Sequence, residues 1–143
     1  MARAPLVRLA LALALAPLGL AAGSCTSIEN HEVTELQAIC VSSGNGTDGV
    51  TTEIALNVEF NTCLSSSCDT LVESSCEASV EGDVIEVSGL ASIDAQVNGA
   101  CTLDCGLATA SCQLEVANGT YTIRSGDVEF SYEIGTPAAC SYD

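Results

Sequence analysis

Eight cysteines spread between residues 40 and 140, with a ninth, Cys25, at the end of an N-terminal apolar run, restrict both the compartment and the architecture open to this chain. The run opens MARAPLVRLALALALAPLGLAAGSC, with Arg3 and Arg8 ahead of an apolar stretch and small residues at 21–24. Basic, apolar and small residues in that order form a secretory signal, so residues 1–24 are expected to be removed. The apolar stretch, residues 9–22, is 14 residues long, short of the roughly 20 that a membrane-spanning helix needs. In an exported chain the remaining cysteines are expected to pair with one another. Cys63-x4-Cys68 and Cys101-x3-Cys105 lack the tight pairs of a zinc ribbon or a thioredoxin-like motif. The set Cys40, Cys63, Cys68, Cys76, Cys101, Cys105, Cys112 and Cys140 is therefore read as four disulfides of open connectivity. One pairing is expected, Cys40 with Cys140, joining the two ends of the domain.

Period two dominates the rest. Ile54, Leu56, Val58 and Phe60 alternate with polar Glu53, Asn57 and Glu59, and Ala91, Ile93, Ala95 and Val97 alternate with Ser92, Asp94, Gln96 and Asn98. Such alternation makes half-buried strands. Three tight hairpins are expected, at Gly82-Asp83, Asn118-Gly119 and Gly126-Asp127. The first pairs Val80 with Ile85 and Ala78 with Val87. The second pairs Val116 with Tyr121 and Leu114 with Ile123. The third pairs Ile123 with Phe130, Tyr121 with Tyr132 and Arg124 with Glu129. Each register sets apolar on apolar, and a slip of one residue would turn the set to solvent. Residues 42–49 read as a turn-rich loop, and residues 62–75 and 98–111 as cross-linked connections. Seven or eight strands at this spacing predict an all-β fold, an antiparallel two-sheet β-sandwich that is immunoglobulin-like in the loose sense. The expected organisation is a signal at 1–24, a tether at 25–35 and one domain at 36–143.

Loss of residues 1–24 leaves 119 residues in which Arg124 is the sole basic side chain against 19 acids, a net charge of −18. That surface repels nucleic acid and anionic headgroups. Its apolar patterning also excludes an acidic disordered tail. Catalysis finds little support. His31 is the sole histidine, expected in the tether, and G-x-S-x-G is missing, so a Ser-His-Asp arrangement lacks its parts. A carboxylate pair of the glycosidase kind carries no specificity when acids are this abundant. Calcium is the alternative ligand, because Asp48, Glu81, Asp83 and Asp127 fall at expected loops and oxygen donors suit it. Aspartates in hairpin turns need no metal to explain them, however. Asn45-Gly46-Thr47 and Asn118-Gly119-Thr120 match the N-glycosylation acceptor pattern.

Ala22-Gly23-Ser24-Cys25 resembles the lipobox of bacterial lipoproteins, and the whole chain resembles Cys-rich bacterial lipoproteins of unknown function in style. The bulky aliphatic residue that the lipobox carries three places before its cysteine is replaced by Ala22. The resemblance implies acylation of Cys25, and Thr26 after it implies the outer membrane. Parity agrees, since removing Cys25 leaves an even number of cysteines. The expected function is a non-enzymatic exported module, structural or recognition in role, with a protein or envelope partner and no cofactor. A cation-binding domain is the alternative and a small carboxylate-pair hydrolase a minor one.

Overall fold

The computed structural model describes residues 27–44 and 49–142. It is all-β, in two sheets packed face to face. Nine strands run along the chain: β1 (Ser27–Val33), β2 (Leu36–Ser43), β3 (Thr51–Phe60), β4 (Asp69–Glu81), β5 (Val84–Val97), β6 (Thr109–Ala117), β7 (Thr120–Ser125), β8 (Val128–Glu133) and β9 (Ala139–Tyr142). The four-stranded sheet has the order β6-β3-β2-β9. The other sheet centres on β5, with β4 along one side and both β1 and β7 along the other, β8 lying beyond β7. Ile39, Val41, Ile54, Leu56, Val58 and Phe60 from the first sheet meet Ile85, Val87, Ala91, Ile123 and Tyr132 from the second. The expected alternation thus places one face of each strand in a shared core, the standard solution for two half-buried sheets.

Two hairpins form in the expected register. Val80 pairs with Ile85 and Ala78 with Val87 around Gly82, whose φ of 66° is the left-handed conformation that glycine adopts without strain. Around Gly126, Ile123 pairs with Phe130, Tyr121 with Tyr132 and Arg124 with Glu129.

The third hairpin does not form. β6 pairs with β3 in one sheet and β7 with β5 and β8 in the other, so Asn118-Gly119 is a crossover between sheets. Val116, Tyr121 and Ile123 still face the core. An apolar face directed at a shared core looks the same in sequence whether the chain folds back or crosses over. The crossover is pinned by local bonds. Asn118 N donates to Val50 O at 3.0 Å. Its side-chain Nδ2 donates to Gly49 O at 2.8 Å, and its Oδ1 accepts from the buried Thr52 Oγ1 at 2.9 Å. The Tyr121 hydroxyl donates to Ala117 O at 3.0 Å. The acceptor-pattern asparagine therefore has a structural task. Asn118→Ala should destabilise the protein by about 1 kcal/mol, chiefly by stranding the Thr52 hydroxyl. Urea unfolding of Asn118→Ala and of the Thr52→Val, Asn118→Ala double variant checks this. An unchanged midpoint in the single variant would sink it, and the double variant should recover part of the loss.

Two further differences follow from backbone pairing that side-chain pattern does not encode. Residues 27–33, read as tether, form β1, in antiparallel register with β5 from Ser27↔Val97 to Val33↔Ala91. β1 is exposed along nearly its whole length, so it lacks apolar alternation and is held by the backbone ladder. Asn30 Nδ2 adds bonds to Ser92 Oγ and Asp94 Oδ1, each 2.9 Å. The pair β5–β7 is parallel, from Val84↔Thr122 to Glu86↔Arg124, inside an otherwise antiparallel fold.

The flanks of the sandwich are tied across the sheets. On one side, the Cys76–Cys112 disulfide joins β4 to β6, and Ser74 Oγ donates to Thr109 O at 2.8 Å. On the other, Ser43 Oγ and the Tyr132 hydroxyl lie 2.7 Å apart, linking β2 to β8.

Candidate functional site

The sequence-derived site residues scatter. Cys25, Asp48 and the Asn45 acceptor pattern lie outside the described residues. Glu81 and Asp83 flank the β4–β5 turn, whereas Asp127 sits in the β7–β8 turn. Parallel pairing puts Asp83 beside the start of β7, since Thr122 N donates to Asp83 O at 2.8 Å. Asp127 lies about five residues further along the strand direction, roughly 15 Å away. These carboxylates are thus not brought together, and no group of three or more His, Cys, Asp or Glu is arranged around a common point among the described residues. His31 lies in β1 opposite Ile93, exposed, rather than in a tether.

All eight cysteines of the described residues pair: Cys40–Cys140, Cys63–Cys105, Cys68–Cys101 and Cys76–Cys112. The expected Cys40–Cys140 bond is a cross-strand link between β2 and β9, whose register sets those two residues opposite each other. Four disulfides are consistent with an oxidising compartment outside the cytoplasm.

Two of these bonds organise a polar feature of the surface. They clamp residues 61–68, between β3 and β4, onto residues 98–108, between β5 and β6. Next to the Cys63–Cys105 bond, Leu64 and Gly106 form an isolated antiparallel bridge. A serine run fills the clamp. Ser65 Oγ donates to Thr102 O at 3.0 Å, and Thr102 N donates to Ser67 Oγ at 2.8 Å. Ser66 N reaches both Asp104 carboxylate oxygens at 3.3 Å, and the Thr102 hydroxyl donates to Asp104 Oδ1. Ser65 N donates to Asp69 Oδ2 at 2.7 Å. Hydrogen bonds from Ser66 and then Thr102 hold the Asp104 carboxyl below its ordinary range, because they favour the charged form.

Next to the clamp, Ile28, Ser66, Ser67, Asp69, Thr70, Asp94 and Gln96 line a shallow cleft of about 210 Å³. Its carboxylates already accept bonds from neighbours: Asp69 from Ser65, Asp94 from Asn30. Hydroxyls and engaged carboxylates of this kind offer polar recognition. Sequence reasoning took residues 62–75 and 98–111 as cross-linked connections, although 69–75 belong to β4 and 109–111 to β6, and it did not single out Ser65, Ser66, Ser67, Thr102 or Asp104. The Ser-Ser-Ser run between Cys63 and Cys68 was the available signal.

On the outer face of the β5-centred sheet, a depression of about 270 Å³ is bounded by Glu77, Ser79, Glu86 and Ser88. Glu86 of this depression pairs with Arg124, with Nε to Oε1 at 3.0 Å. Arg124 faces Glu129 in the β7–β8 register, as expected, yet its ion pair is made across the parallel β5–β7 junction. The Arg124 guanidinium lowers the Glu86 carboxyl, and Glu86 in turn raises Arg124. Compared with known proteins, the chain matches no family model, no curated protein and no solved structure.

Proposed function

We propose that this protein is a non-enzymatic exported module of the cell envelope, anchored through an acylated Cys25 and serving a structural or recognition role. One observation carries the reading. Four disulfides engage eight of the nine cysteines, so Cys25 is the one left without a disulfide partner by parity. An unpaired thiol in an oxidising compartment is a liability, and thioether acylation removes it. The polar clamp and its cleft, held rigid by two disulfides, supply a fixed surface directed at the envelope. A strongly acidic face favours partners that are basic or neutral.

The test is an intact mass of the protein isolated without reductant from its own host, before and after reduction and alkylation. A diacyl- or triacylglyceryl increment starting at Cys25, with eight thiols released only on reduction, supports the reading. A lipid-free mass, or Cys25 in a disulfide with another chain, overturns the anchor. With the anchor in place, Cys25→Ser moves the protein from the membrane fraction to the soluble one.

A further inference from the structure

We infer that the end of the sandwich where β1 begins is a membrane-seating surface, with Ile28 and Leu103 resting in the headgroup layer of a zwitterionic bilayer. This rests on the lipid anchor proposed above. The argument is one of reach. Only Thr26 separates Cys25 from Ser27, the first residue of β1. Two Cα–Cα steps of about 3.8 Å hold Ser27 within about 8 Å of the anchored cysteine. The polar layer on each side of a bilayer is itself roughly 5–8 Å thick, so the start of β1 cannot stand clear of it.

β1 has no slack to lend. Each of its residues from Ser27 to Val33 is in register with β5. That register puts Val97 opposite Ser27, and the chain leaves β5 there into residues 98–105. This loop is therefore what the anchor turns toward the membrane. It is stiffened by the Cys68–Cys101 and Cys63–Cys105 bonds. It also carries Leu103, whose side chain is fully exposed. Ile28, 68% exposed, lines the cleft with Ser66 and Ser67, and Thr102 beside Leu103 bonds to Ser67. Two large aliphatic side chains thus stand at the end that the anchor holds against lipid, where apolar groups gain by insertion. Asp69, Asp94 and Asp104 at the same end repel anionic headgroups, which selects a zwitterionic surface.

The chain contains no tryptophan, so a single introduced one reports its own depth. Leu103→Trp is compared with Val80→Trp, on β4 opposite Ile85 at the far end of β5, a strand of 14 residues and therefore roughly 40 Å long. Both full-length proteins are isolated from the host, verified for acylation by mass, and reconstituted in phosphatidylcholine vesicles with brominated acyl chains. The expected result is blue-shifted emission and about threefold stronger quenching for Leu103→Trp than for Val80→Trp. Equal quenching in acylated protein overturns the seating while leaving the anchor intact, and means that β1 peels away or the domain lies flat. A mass without lipid overturns the anchor and the seating with it.

Discussion

Exchanging Cys40 and Cys140 together for Ser is expected to lower the unfolding free energy by about 3–5 kcal/mol and to release β9 from the four-stranded sheet. The bond spans 100 residues, against 42, 36 and 33 for the other three. In the chain-entropy account, closing a loop of that size restricts the unfolded chain by about 4.7 kcal/mol, reduced here because the other bridges already shorten the loop. The local effect is sharper. β9 has four residues and pairs only with β2, through Ala38↔Tyr142 to Val41↔Ala139. A strand this short at a sheet edge holds little by its own packing, so opening it without the disulfide requires little free energy. Hydrogen exchange of the β9 amides in the double variant should approach the unprotected rate, while β3 and β5 remain protected. Protection of β9 equal to wild type would refute the account.

The second large effect concerns Phe60 and Gly89. Phe60 is fully buried at the end of β3. A Cβ placed on Gly89 of β5 would lie 2.9 Å from Phe60 Cε1 and 3.2 Å from Leu36 Cδ2. The glycine is the gap in the opposing sheet into which the ring fits, a close approach of the kind that accounts for glycine within a strand. Phe60→Ala should cost about 3–5 kcal/mol through lost burial and a residual cavity. Gly89→Ala should cost about 1–3 kcal/mol by overpacking against a ring that cannot withdraw. In the double variant the second penalty disappears, because the atoms it clashes with have gone. Denaturant unfolding of all four species should therefore reveal a coupling of at least about 1 kcal/mol between the two sites. Additive losses would show that the ring and the glycine do not constrain each other.

Much of the fold was legible because it is written in side-chain alternation. The registers at Gly82 and Gly126 follow residue by residue from the requirement that Val80, Ile85, Ile123 and Phe130 share a face. The failures mark where alternation stops carrying information. Asn118-Gly119 resembles a hairpin turn because Val116 and Tyr121 both face the core, and the core is common to the two sheets. β1 was missed because its exposed side chains have no apolar period, and its place depends on the free edge of β5, 58 to 70 residues away in sequence. The parallel β5–β7 pair leaves no local trace at all. For the candidate site, the cysteines announced cross-linked segments, but the partnership of the serine run with Thr102 and Asp104 depends on which cysteines join. Spacing alone cannot choose that pairing.

Arg124 lies mid-strand in β7, paired on one side with Glu86 of β5 and on the other with Glu129 of β8. Within residues 25–143 it is also the sole position that trypsin can cut. A protease must draw several residues into an extended, unpaired conformation, which here requires β7 to leave the sheet. Cleavage after Arg124 therefore measures how often the β-sandwich opens, with no engineered reporter. Because the Cys40–Cys140 bond spans the cut, the nicked protein stays a single covalent species until reduced, heavier by one water molecule.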